Sequence, residues 1–291
     1  DNNRLRVYNA EFEWSAKDFD VRGFYRTGHY HWGYEGDFFG LYPEAYYGPN
    51  LDIYNGEILG VEVDGKGVLS GLKAAFGPQL WWGANPAVLL KYQTSIKGYD
   101  FSALYHKDIV SGGGFDENGN RVLDPTQLRT GVIPGIPTER ATVAVEKKGD
   151  HFGVQLGAIF GGRPLNGSAY QDIDDNGQVV TDKIQSKDNW GGKAKITYSN
   201  GGFNWYAQGS VMGLVANGGG DPTLTFTGWK LKDSGSGNMQ NILSGISYNF
   251  GGKFQIAPNF MYQKPLVAAM PNGGAAPGRL RNFVDDPFVV R

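Results

Sequence analysis

In one stretch of this 291-residue chain, Asp172-Ile173-Asp174-Asp175-Asn176-Gly177, oxygen-bearing side chains recur at alternate positions before a glycine. That spacing opens a Ca2+-binding loop: alternate side chains converge on the ion and the glycine permits the sharp turn. Asp172, Asp174, Asn176 and Asp182 are the candidate ligands. The position that should hold a bidentate acid is Lys183, with Asp182 one residue early, so the loop would have to contract. The same residues equally suit the tip of a hairpin, where Asp, Asn and Gly form turns. Asp116-Glu117-Asn118-Gly119-Asn120 is a weaker relative, since Arg121 stands where the glycine is wanted.

A second chemistry is written in aromatic residues. Tyr30, Trp32 and Tyr34 alternate beside His29 and His31, and Trp81-Trp82 forms a further pair. Flat rings with polar rims stack on sugar faces, so these are candidate ligand contacts. They are also good at packing a long loop. His29 and His31 share a strand parity, but zinc needs further ligands and none is near in sequence. No Gly-x-Ser-x-Gly elbow, His-Glu-x-x-His, P-loop or cysteine nucleophile is present, and the expectation is a protein that is not an enzyme.

Composition narrows the class. Cysteine is absent, glycine numbers 45, aromatics make up 14% and charged residues only 19%. A net charge of −2 argues against nucleic acid as a partner. No apolar run is long enough for a membrane-spanning helix. The mean hydropathy of −0.38 is still compatible with a barrel, which hides its greasy face in alternate residues.

The elements that must position these groups read as six hairpins. Phe12 and Trp14 turn into Phe19, Val21 and Tyr25; Val61 and Val63 turn through Asp64–Gly67 into Val68, Ser70, Leu72, Ala74 and Phe76. Val88–Ile96 turns into Tyr99–Tyr105, Val143–Val145 into Phe152–Phe160, Ala194–Tyr198 into Phe203–Val211, and Ile242–Phe250 into Phe254–Tyr262, where Pro258 keeps the apolar parity. Period-two alternation marks strands with unlike faces, and Gly, Asn and Asp between them mark tight turns. Much longer segments separate the pairs, about 28–57, 108–140, 161–192 and 214–241. Tyr30–Phe39 and Thr223–Lys230 are the most strand-like stretches inside them.

The apolar parity is expected to face outward. The opposite parity then faces the interior, with Arg22, Arg26, Glu62, Lys73 and Lys91 as candidate lumen-lining residues. Both signs of charge occur there, which predicts an electrically balanced interior. Trp14, Phe19, Tyr99, Phe101, Phe152, Phe203, Trp205, Tyr248, Phe250 and Phe254 all lie near a short turn. Rings with one apolar and one polar end favour a membrane–water interface. A soluble sandwich with aromatics near its hairpins would give the same local pattern.

In these features the chain resembles the porin-like outer-membrane β-barrel proteins of Gram-negative bacteria, over roughly residues 4 to 262. The resemblance lies in architecture, not in any family motif. It implies an all-β fold: an antiparallel up-and-down transmembrane β-barrel, with short turns on one side and long loops on the other. About 12 strands are visible, and 14 or more are expected in the complete barrel. The resemblance also implies termini on the short-turn side. Here the first strand starts, and the last clear strand ends, on the long-loop side. The expectation is therefore a single β-barrel domain over 1–291 that is an internal portion of a larger barrel, with 263–291 a long loop or the start of a further strand.

The implied function is a channel for small hydrophilic solutes, saccharides among them, in the outer membrane. The bilayer and lipopolysaccharide are its implied partners, and no cofactor beyond Ca2+ is implied. Two other readings stay open. One is a barrel that anchors or assembles a cell-surface complex, with protein partners or missing barrel segments completing it. The other is a soluble, secreted carbohydrate-binding β-protein.

Overall fold

The computed structural model describes residues 7, 10–25, 36–40, 59–77, 87–108, 114–115, 121–122, 139–167, 169–173, 179–216, 222–224, 230–232, 237–266 and 288–290. No helix among them is long and apolar enough to cross a membrane, which leaves crossing by strands open.

The alternating segments form one long antiparallel sheet. In chain order its strands are β1 (Ala10–Ser15), β2 (Phe19–Tyr25), β3 (Leu59–Gly65), β4 (Leu72–Gly77), β5 (Ala87–Ile96), β6 (Tyr99–Asp108), β7 (Glu139–Lys148) and β8 (Phe152–Gly161). They continue with β9 (Trp190–Asn200), β10 (Phe203–Met212), β11 (Met239–Phe250), β12 (Phe254–Ile256), β13 (Asn259–Pro265) and β14 (Phe288–Val290). Each main strand pairs with its chain neighbour, so the topology is up-and-down. β12 and β13 both pair with β11 in one register and act as one strand interrupted at Pro258. Proline lacks the N–H for the ladder, though its carbonyl still accepts from Ile246 N at 3.1 Å.

Short turns join β1 to β2, β3 to β4, β5 to β6, β7 to β8, β9 to β10 and β11 to β12, and the intervening connections are all longer. Among the described residues no ladder joins β14 to β1. These two strands run in the same direction, so an antiparallel ring cannot close by pairing them directly.

Three local expectations are corrected. Val68 and Ser70 belong to a turn, not to β4: Gly67–Leu69 is a short 3-10 segment, and Gly67 and Gly71 take φ of 58° and 87°. Asp18 from the first turn holds this second turn. Its carbonyl accepts from Lys66 N at 2.8 Å, and its carboxylate from Val68 N at 3.5 Å. Lys66 Nζ returns to Asp20 at 2.6 Å. Removing the carboxylate with Asp18→Ala is expected to cost about 1 kcal/mol or less, because the contact is exposed; urea unfolding checks it. Second, Gly36–Gly40, the end of the strand-like Tyr30–Phe39 stretch, is a compact turn. Third, the strand-like stretch Thr223–Lys230 is not one strand: its start, in Pro222–Leu224, pairs antiparallel with its end, in Lys230–Lys232.

The two sheet faces are inverted relative to a water-soluble protein. One parity exposes Phe12, Trp14, Leu90, Tyr92, Val143, Leu156, Ile242 and Tyr248, each between 43% and 58% accessible. The other parity buries Glu62, Lys91, His106, Arg140, Lys193, Gln208, Asn241 and Ser247. Burying charge is costly without partners, and an extensive exposed apolar surface marks a face that meets something other than water.

Aromatic rows bound that apolar face. Near the short turns Phe152 packs on Tyr198 with centroids 4.7 Å apart, and Tyr198 faces Phe203 at 6.1 Å. At the other end Phe160 packs on Trp190 at 4.8 Å. From Phe152 to Phe160, at about 3.3 Å per residue, is about 26 Å of strand. A barrel tilt of about 40° reduces this to about 20 Å of height, close to the roughly 25 Å apolar band of an outer-membrane barrel.

Candidate functional site on the inner face

The inner face carries a row of charge at its β1 side. Glu13, Arg22 and Glu62 are direct cross-strand neighbours on β1, β2 and β3. Arg22 pairs with Glu11 at 2.5 Å. Lys73 on β4 pairs with Asp64 at 3.3 Å and stands directly opposite Lys91 on β5. Like charges at such positions repel, and Lys91 is only 1% accessible. Arg22, Glu62, Lys73 and Lys91 therefore share the inner parity of four successive strands. The fifth candidate, Arg26, lies outside the described residues.

Further round the sheet a short piece of the β2–β3 connection lies against the inner wall. Gly36 and Gly40 take φ of 72° and 65°, a left-handed conformation that glycine adopts without side-chain strain. Between them Phe38 N donates to Gly36 O at 3.0 Å and Gly40 N to Asp37 O at 3.2 Å. This five-residue strap puts Phe39 at 0% accessibility among Ala75, Leu89, Leu104, Ile159 and Met212. Those residues come from β4, β5, β6, β8 and β10, so the sheet curves around the strap.

Three further contacts fix the strap. Ser102 Oγ donates to Gly36 O at 3.0 Å. Lys193 Nζ donates to Phe38 O at 2.5 Å and stands over the Phe38 ring, 4.4 Å from its centroid. Gly157 leaves the space that the rings fill: a Cβ there would lie 2.6 Å from Phe38 Cδ1 and 2.9 Å from Phe39 Cε2. Burying a phenylalanine contributes about 1.5–3 kcal/mol, and a hydrogen bond from a charged donor about 1.5–3 kcal/mol. Gly157 is near the middle of β8, so the strap sits inside the curved sheet near the mid-height of the apolar band. Asp37 in the strap is 7% accessible, next in sequence to the Phe38 whose carbonyl Lys193 holds.

The long connections also interlock at the far end of the strands. Val215 N and Ala216 N both donate to Asp188 O, at 3.1 and 3.2 Å. Ile184, Leu214 and Val215 form a small apolar cluster with Leu165 against it. Asn238 N donates to Gly213 O at 2.7 Å, and Leu266 N to Asn238 O at 3.2 Å. These bonds tie three successive connections into one collar.

The strap residues were not among the expected site residues, nor were its seat Gly157 and its anchor Lys193. The aromatic contact candidates Tyr30, Trp32, Tyr34, Trp81 and Trp82 all lie outside the described residues. Asp174 and Asn176 do too. Asp172 and Asp182 fall on a two-stranded ribbon, Ala169–Ile173 with Val179–Lys183, where Asp172 pairs Val180 and Asp182 pairs Tyr170. That backbone is an antiparallel pair of strands. Among the described residues no group of three or more His, Asp or Glu is placed to hold a metal.

No family model and no curated protein matches the sequence. Among solved structures the chain is similar to OmpF of Salmonella typhi, determined in complex with daunomycin. That likeness has 11% identity over 88% of this chain and 70% of that one, with a TM-score of 0.36. It is also similar to a triple mutant of the porin of Rh. blastica, with 11% identity over 87% of this chain and 83% of that one and a TM-score of 0.29.

Proposed function

We propose that this chain builds the wall of a pore in the outer membrane of a Gram-negative bacterium, and that small hydrophilic solutes pass through it. The observation that supports the reading is the inversion of the sheet: apolar side chains outward, charged and amide side chains inward, over successive up-and-down strands. A strand can cross lipid only if its backbone bonds are satisfied sideways, so the sheet must close on itself. In this pore Arg22, Arg26, Glu62, Lys73 and Lys91 line one side of the lumen, and the Gly36–Gly40 strap narrows it. Tyr30, Trp32, Tyr34, Trp81 and Trp82 are assigned to contacts with passing saccharides.

The test is a planar bilayer containing the purified full-length protein. Discrete current steps are expected, and a neutral oligosaccharide is expected to interrupt them. Stable insertion with no current would sink the pore; current that ignores the sugar would sink only the saccharide assignment. A second reading, a barrel that anchors a surface complex, is favoured by β1, whose six residues are exposed on both faces. Insertion without conductance, together with a bound partner chain, is its signature.

A further inference from the structure

We propose that the outer rim of β6–β8 binds the phosphomonoester headgroup of an anionic membrane lipid in the leaflet at the long-loop end. The inference rests on the reading above that the apolar face meets lipid. Lys107 on β6 is exposed on the outward parity and stands directly opposite Glu139 on β7. Gly162 N donates to Glu139 O at 3.3 Å, which puts the exposed Arg163 beside the same strand end. Tyr105 Oη donates to Glu139 Oε1 at 2.9 Å, so the acid of the cluster already has a hydrogen-bond partner. Among the described residues the side chains of Lys107 and Arg163 make no hydrogen bond and no ion pair within 4 Å, though the Arg163 charge acts on Tyr105.

Height and charge point to the occupant. The aromatic pair Phe160 and Trp190 lies one step below these cations, in the same cross-strand row as Tyr105. Aromatic rings mark the lipid–water boundary. Cations just beyond them extend to the headgroup layer, where phosphate is the fixed anion. Arginine offers phosphate a bidentate fork and lysine a point charge. Two cations against one engaged carboxylate leave a net positive rim.

The full chain would be placed in nanodiscs of equal phosphatidic acid and phosphatidylcholine, and the lipids retained on extraction counted by native mass spectrometry. The expected result is retention of phosphatidic acid about tenfold above phosphatidylcholine, a ratio equal to about 1.4 kcal/mol. The double variant Lys107→Gln/Arg163→Gln is expected to bring the ratio near one while keeping its β-sheet circular dichroism. Lys264→Gln, which removes a cation elsewhere on the outward parity of β13, should leave the ratio unchanged. Equal retention of both lipids by the unaltered protein overturns the site. So does equal loss from Lys264→Gln, which would mean diffuse charge attraction. Failure to enter the nanodiscs overturns the membrane reading itself, and is seen before any lipid is counted.

Discussion

Replacing Gly157 by leucine is expected to unseat the strap and widen the lumen. A Cβ at this position already falls within 2.6 Å of Phe38 and 2.9 Å of Phe39. Leucine adds three more carbons in the same direction, and both rings are packed against wall strands that cannot retreat without breaking the ladder. The strap must therefore leave, and with it goes the burial of Phe39. The loss should be about 2–4 kcal/mol, the range for a buried large apolar side chain, read as a lower unfolding midpoint in detergent. Single-channel conductance should rise at the same time. Lys193→Met is the milder companion. It keeps the volume but removes the donor to the Phe38 carbonyl and the cation over its ring, worth about 1–3 kcal/mol together. If both variants keep the parent conductance, the strap does not narrow the pore, whatever their stability.

The wall was legible in the sequence because its signal repeats. Each long strand alternates two unlike faces over seven or more residues, so a slip of one residue would invert every side chain and the register is over-determined. The second turn was misread for the converse reason. Val68 and Leu72 share a parity, so the alternation runs through Lys66–Gly71 without a break. Only the third-dimensional contacts show the turn: Asp18 accepting Val68 N–H, and the left-handed Gly67 and Gly71. The strap was not legible at all. Five residues have no period, and Asp37-Phe38-Phe39 reads as loop or strand with equal ease. Its one local signal is the pair of glycines at both ends. Its seat was hidden because Gly157, Leu89 and Leu104 fall on the parity expected to be polar, where they look like noise. They are apolar because a piece of the chain's own loop, not water, covers them.

The largest effect on the outer face is expected from Leu156→Arg. Leu156 points outward at 50% accessibility, in the same row as Val145 and Ala194, midway between Phe152 and Phe160. On a face that meets water this substitution would be nearly neutral, within about 0.5 kcal/mol. At the middle of a lipid-facing band it puts a guanidinium in hydrocarbon, at a cost of about 2–4 kcal/mol. Val68→Arg makes the matched control, because Val68 is 86% accessible in a turn beyond the strands and its charge would stay hydrated. Folding into lipid vesicles, titrated with urea, measures both. Leu156→Arg should lower the stability of the inserted state by that amount, while Val68→Arg leaves it within a few tenths of the parent. Equal, small effects from the two would mean that the apolar face is covered by protein or faces water, and the bilayer assignment would fall with them. The comparison is sharp because the two residues are equally apolar in sequence and differ only in the height at which the fold places them.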